Sequence, residues 1–189
     1  MNKTSFGTDI FSSDIDINDK GLDGIFQSSL AKKVFKGEKL FSQGKKSDFF
    51  YFLRKGSAKS YYFKDSQQIC LWFAFDNDLV ATISLYDGKV SNETVEMLED
   101  SEVIRFRIDE LKSLSKKNLT VSNFSLNMIK EHAVFLEYKL NNLQFMTSEE
   151  RYFSLISDFP DILQKVSLTD ISSYLGIARE TLSRIRGRQ

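Results

Sequence analysis

Arg179, Glu180, Ser183, Arg184 and Arg186 lie close together near one end of the sequence. Their side chains suit the reading of a polar, anionic surface. An arginine presents a planar fork that fits guanine O6 and N7 or a phosphate, and a glutamate accepts from cytosine N4. That chemistry requires all five on one face of a rigid rod. The stretch S-L-T-D-I-S-S-Y-L-G-I-A-R-E-T-L-S-R-I-R (Ser167–Arg186) supplies such a rod. Ser167 caps a first helix, and Asp170 three residues later completes a capping box. Leu168, Ile171 and Leu175 give that helix one apolar stripe. Gly176 provides the positive φ of a sharp turn. A second helix turns Leu182 and Ile185 inward and leaves the five polar residues outside. This is a helix-turn-helix plan, which places the second helix in the major groove of DNA.

The segment I-A-R-E-T-L-S-R (Ile177–Arg184) resembles the recognition helix of the Crp/Fnr family of bacterial transcription regulators. The resemblance implies that Arg179, Glu180 and Arg184 read bases, with Thr181 and Ser167 near phosphates; Ser183 and Arg186 share the same face. One departure is Ala178, where the family usually has a capping Ser or Thr; a lost cap costs about 1 kcal/mol. Another is the short stretch after the helix, which stops at Gln189 where many relatives continue.

Upstream, F-K-G-E-K-L-F-S-Q-G (Phe35–Gly44) reads as strand, tight turn and strand. Runs rich in aromatic and β-branched residues follow at 49–53, 58–63, 69–75, 93–98 and 102–108. Gly56, Asp65-Ser66, Asn77-Asp78 and Asp87-Gly88 separate them. Short strands with regular turns predict a double-sheet β-roll or jelly roll. F-x-x-G-E-x-L-F-x-x-G with the aromatic strand after it is similar to the front of cyclic-nucleotide-binding domains. The two resemblances span roughly residues 34–187 and occur in the family's order.

The resemblance implies a phosphate cassette in Asn77–Asn92, with a Glu for the ribose and an Arg-Ser pair for the cyclic phosphate. Thr82 stands at the Glu position and Ser91-Asn92 at the Arg-Ser position. No Arg occurs between Arg54 and Arg105. From Asp76 to Met97 the charges are Asp76, Asp78, Asp87, Glu93 and Glu96 against Lys89. A phosphate monoanion there would meet like charge and find no fork. The expected ligand face is Thr82, Leu85, Ser91, Asn92 and Leu136, holding an unidentified small effector other than cyclic AMP. Leu136 and Glu137 stand where cyclic AMP receptors place hydroxyl residues toward the purine.

Metal and cofactor chemistry find little support. Cys70 is the single cysteine, which cannot ligate an iron–sulfur cluster within one chain and reads as a small core residue. His132, the single histidine, lies on a helix, where one His can ligate a haem, but it reads as an ordinary helix-surface or packing residue, and zinc or cupin-type sites lack ligands. Catalytic triads, P-loops and dinucleotide fingerprints are not recognisable. The expectation is a non-enzyme without a cofactor.

Between roll and reader, Leu126, Ile129, Ala133, Leu136, Leu140 and Leu143 are spaced three, four, three, four, three. This heptad seam predicts a two-stranded coiled coil along residues 122–145 and hence a homodimer. Phe124, Met128 and Phe135 form a second stripe toward the roll. Phe145-Met146 reads as a hinge, after which Thr147 and Glu150 open another helix with a capping box. S-E-E-R-Y (Ser148–Tyr152) resembles a short class of Crp/Fnr-like regulators. Pro160 ends that helix at Phe159, and Leu163 and Val166 cover the base of the reader.

A chain of 189 residues accommodates these parts. Its formal net charge is zero, which argues against a general polyanion coat. Residues 179–189 nevertheless hold four Arg against one Glu, while residues 1–30 hold five Asp against two Lys. No apolar run reaches a membrane span or a signal-peptide core, so the expected location is the cytoplasm. The predicted class is α+β: an N-terminal β-roll, a long dimerisation helix and a C-terminal winged-helix-like helix-turn-helix domain. Expected boundaries are a loose arm at 1–21, the sensor roll at 22–118, the dimerisation helix and hinge at 119–146, and the DNA-binding unit at 147–189. The expected partners are pseudo-palindromic double-stranded DNA, a second copy of the chain, RNA polymerase and the effector, without a membrane. The competing expectation is a ligand-binding roll whose DNA-binding domain has degenerated.

Overall fold

The computed structural model describes residues 31–188. The expected loose arm at 1–21, and the short helical stripe that the spacing of Leu22, Ile25, Phe26 and Leu30 predicts, fall outside the described residues. Eight strands build the roll: β1 (Ala31–Val34), β2 (Lys39–Phe41), β3 (Phe49–Lys55), β4 (Ala58–Lys64), β5 (Gln67–Ala74), β6 (Asp78–Val80), β7 (Thr94–Met97) and β8 (Ser101–Arg107). They form two antiparallel four-stranded sheets, ordered β1-β8-β3-β6 and β2-β7-β4-β5.

Alternation along β3 shows how these strands arise. Phe50 and Phe52 turn inward and are buried, while Phe49 and Tyr51 on the other face are half-covered. Facing residues such as Val34, Phe41, Val80, Val95, Met97, Val103 and Phe106 fill the space between the sheets. The β4–β5 hairpin turns on Asp65 and Ser66, both at positive φ, as a two-residue hairpin of matching twist requires. Gly56, at φ +126°, is fixed for a second reason: a Cβ there would collide with the Ser101 side chain.

Two short helices accompany the strands, α1 (Ser84–Asp87) between β6 and β7, and α2 (Ile108–Ser115) directly after β8. The long helix α3 (Leu119–Phe145) starts earlier than its seam suggests, because the Asn118 side chain accepts from the N–H groups of Thr120 and Val121. Phe124 and Met128 pack into the roll core. Leu126, Ile129, Ala133, Leu136, Leu140 and Leu143 are all exposed along the other side of this helix.

At Met146 the backbone becomes extended, and α4 (Ser148–Asp158) begins with both halves of the Thr147–Glu150 capping box in place. Then come α5 (Ile162–Lys165), α6 (Leu168–Leu175) and α7 (Arg179–Arg186). Their core contains Tyr152, Leu155, Ile162, Val166, Ile171, Leu175, Leu182 and Ile185, whereas Leu163 lies outside it and is partly exposed. The fold is α+β, as expected. The wing implied by resemblance has no counterpart, since no strand follows β8 among the described residues.

Candidate nucleic-acid interface and effector cavity

Helix α7 separates its residues cleanly by face. Leu182 and Ile185 are buried against α6, and Arg179, Glu180, Ser183, Arg184 and Arg186 are exposed, with Thr181 half-buried. Gly176 ends α6 in the left-handed region at φ +67°, and its N–H bonds back to Ser173. Ala178 offers no side-chain cap to α7, in keeping with its residue type. Basic Arg184 and Arg186 stand in the last turn, which suits the negative end of the helix dipole. Ser167, exposed at the start of α6, accepts from the Asp170 N–H at 3.1 Å.

The capping box expected at Ser167 is only half formed. The Asp170 carboxylate accepts the Ser167 hydroxyl at 2.7 Å, then turns to the roll instead of the helix terminus. Lys59 of β4 donates to it at 3.0 and 3.1 Å, and Gln68 of β5 at 2.9 Å. A cation from another element outbids the return bond because it brings opposite charge into a site removed from water.

Further contacts seat α6 on β5, an edge strand of its sheet. Ser173 Oγ accepts from the Cys70 N–H at 2.9 Å and donates to the Gln68 carbonyl at 3.2 Å. The Phe73 and Tyr174 rings meet at 5.2 Å, and Phe75 and Phe159 at 5.1 Å. Lys139 of α3 sits 4.3 Å from the Tyr174 ring centroid and donates to the Leu71 carbonyl. Burial lowers the Lys139 ammonium to about 8 and lifts the Cys70 thiol to about 12, so that thiol is a packed group and not a nucleophile. Tyr138 ties α3 to α4 through Ser154 and Asp158 at 2.8 and 2.9 Å. Arg151 holds the hinge, donating to the carbonyls of Met146 and Leu175.

A cavity of about 120 Å³ opens between β5, β6, the 81–86 segment and α3. Trp72, Phe73, Tyr86, Met128, Ile129 and Phe135 form its apolar wall, and Asp78, Thr82, Glu131 and His132 supply its polar atoms. A second cavity of about 40 Å³ lies under the C-terminal helices, beside Lys139, Arg151 and Tyr174. Phe73 and Phe135 line both.

Of the expected ligand face, the first cavity includes Thr82 alone. Leu85 is buried in the roll core, Ser91 is buried with its hydroxyl donating to the Glu93 carbonyl, and Asn92 and Leu136 are exposed elsewhere. Glu93 is occupied as well, accepting from Ser60 and, at 2.9 Å, from Trp72 Nε1; burial holds its carboxyl above the usual range. Sequence reasoning missed Trp72, Phe73 and Asp78. An aromatic in a strand carries no mark of facing a cavity, and Asp78 in a turn resembles a solvated residue. Among the described residues no cluster of three or more His, Cys, Asp or Glu could hold a metal.

Residues 31–118, the whole roll, match the family model of the cyclic nucleotide-binding domain. The FixK2 structure from Bradyrhizobium japonicum superposes with a TM-score of 0.73 at 20% identity, covering 85% of this chain and 83% of that one. The chain has the fold of Crp/Fnr-type structures, with a cyclic nucleotide-binding-like roll. A putative Crp/Fnr-family transcriptional regulator from Eubacterium rectale gives a TM-score of 0.69 at 18% identity, covering 93% and 83%. A CooA mutant from Carboxydothermus hydrogenoformans gives 0.67 at 15%, covering 91% and 81%. No curated protein matches by sequence. No helix among the described residues is long and apolar enough to cross a membrane.

Proposed function

We propose that this chain is a homodimeric, sequence-specific DNA-binding transcription regulator, and not an enzyme, whose roll senses an effector other than cyclic AMP. The observation carrying this reading is the division of α7, with Leu182 and Ile185 buried while Arg179, Glu180, Ser183, Arg184 and Arg186 face outward. On this reading Arg179, Glu180 and Arg184 read base edges, and Ser167 and Thr181 hold the backbone. The exposed apolar stripe of α3 pairs with its copy, giving a two-fold protein that reads half-sites about 10 base pairs apart. RNA polymerase is the natural further partner, and the cytoplasm the natural location.

Regulation follows from packing. An effector in the cavity sets Phe73 and Phe135, which also wall the space under the reader. Two arrangements of those rings would bias the reader between docked and free positions. Cyclic AMP is disfavoured because Ser91 and Asn92 offer no cation to its phosphate.

The test is selection of duplexes from a random library by the purified full chain without added ligand. A two-fold symmetric motif supports reader, dimer and spacing together. No enrichment, with or without cell extract, would favour a ligand-binding roll with a degenerate reader, a reading that the uncapped N-terminus of α7 at Ala178 keeps in play. Calorimetry with cyclic AMP tests the other half: saturable heat would overturn the exclusion.

A further inference from the structure

The larger cavity has a chemistry that narrows its ligand. Its size suits one ring system, since an apolar cavity of roughly 150 Å³ in another protein holds benzene. Trp72, Phe73, Met128 and Phe135 offer flat and adaptable surfaces to such a ring. No Lys or Arg lines the space, so an anion finds no cation to pair with.

Asp78 is the distinctive group. The residue is 4% exposed, and its Oδ2 accepts from the Phe75 N–H at 2.7 Å. Oδ1 is buried with no hydrogen-bond partner among the described residues. Buried polar atoms are paired in nearly all folded proteins, so an unpaired one on a residue that lines the cavity marks where a ligand's polar edge gains most once the side chain turns Oδ1 toward the space. Burial holds this carboxyl well above the usual range, and a neutral carboxyl both donates and accepts. A cation would require Asp78 to ionise out of reach of water, which costs more than a surface pair returns. Thr82 Oγ1, shared with Ser84 Oγ at 2.8 Å, keeps capacity for one more hydrogen bond beside it.

We propose that this cavity binds a small uncharged planar ring bearing a carboxamide-like edge, which pairs with Asp78 Oδ1 while the ring lies among Trp72, Phe73, Met128 and Phe135. The proposal rests on the reading of the roll as a sensor and specifies what it senses.

Trp72 is the only tryptophan in the chain, so its emission reports directly on the cavity. The full-length protein is titrated with benzamide, benzoate and benzamidinium, three molecules of nearly one shape and different charge. Benzamide should change Trp72 emission saturably, with a Kd of roughly 10 mM or tighter for a ligand of about nine heavy atoms. Both charged analogues should bind about tenfold more weakly or worse. Asp78→Ala should weaken benzamide about tenfold. Ala81→Phe fills the cavity without touching the Phe75 turn, and should abolish the response while the melting transition is kept. Tighter binding of either charged analogue, no saturable response to benzamide, or an undiminished response in Ala81→Phe overturns the proposal. Benzamide binding that leaves the affinity for a selected duplex unchanged would uphold the site and remove the sensor reading instead.

Discussion

Lys59 of the roll and Asp170 of helix α6 form an ion pair across the two units, Nζ to Oδ1 at 3.0 Å, with side chains only 12% and 8% exposed. Gln68 and Ser167 complete the carboxylate's hydrogen bonds. A buried pair of this kind adds little over an apolar contact, but removing one member strands the other. Lys59→Met should therefore destabilise the docked form by about 3 kcal/mol. Lys59→Met together with Asp170→Leu should recover much of that loss. Denaturant unfolding of the three proteins checks both, and equal stability of wild type and Lys59→Met would show that the pair holds nothing.

Arg184 is exposed in the last turn of α7 and makes no contribution to the reader's core. Arg184→Ala should leave the fold intact, weaken operator binding by about 1–3 kcal/mol and relax one base position. Repeating the duplex selection with the variant is decisive, because an unchanged consensus would take Arg184 out of base reading.

The α3 seam leaves large apolar side chains in water, Leu126 at 64% and Leu140 at 53% exposure. Leu136→Glu places a charge in the middle of that stripe and should convert a dimer to monomers. Sedimentation equilibrium reads the mass directly. A variant that stays dimeric would move the interface elsewhere.

Lys139 gives a pH dependence with a definite sign. Its folded value of about 8 lies below the ordinary lysine range near 10.4, so between those values the unfolded chain holds the extra proton. Stability attributable to Lys139 should therefore rise as pH increases from about 8 toward 10. Lys139→Met should remove that rise. The comparison is made below pH 9, before the Cys70 thiol, which is electrostatically coupled to Lys139 and whose raised value acts in the opposite direction, contributes. A flat difference would mean that Lys139 stays hydrated.

Much of the roll is legible because each strand is a short apolar or alternating run ended by a turn residue that the backbone needs. Asp65-Ser66 and Gly56 are such cases, at positive φ. The seam and the outer face of α7 are legible because helical periodicity sorts side chains by type. Elements of three or four residues, such as β6 and α1, are too short for any period to appear. α2 is hidden because it continues directly from β8 without a turn. The partners of Asp170 lie 111 and 102 residues away, so local pattern assigns that carboxylate to a capping box when its place is between units. Asp78 escapes for the opposite reason. It follows Asn77 in a turn and has the composition of a surface loop, while folding puts it inside.

Ser173 has a consequence beyond docking. By pairing with both Cys70 and Gln68 it occupies backbone groups on the open side of β5, where another strand would otherwise add. Q-Q-I-C-L-W-F-A carries no charge and no proline, the composition that favours strand-to-strand association between chains. On the proposed regulator reading, a motion that lifts the C-terminal helices to meet DNA would also unguard this edge. A lifted form would then face capture by an operator or self-association through β5, and the abundance of operator relative to protein would decide between them.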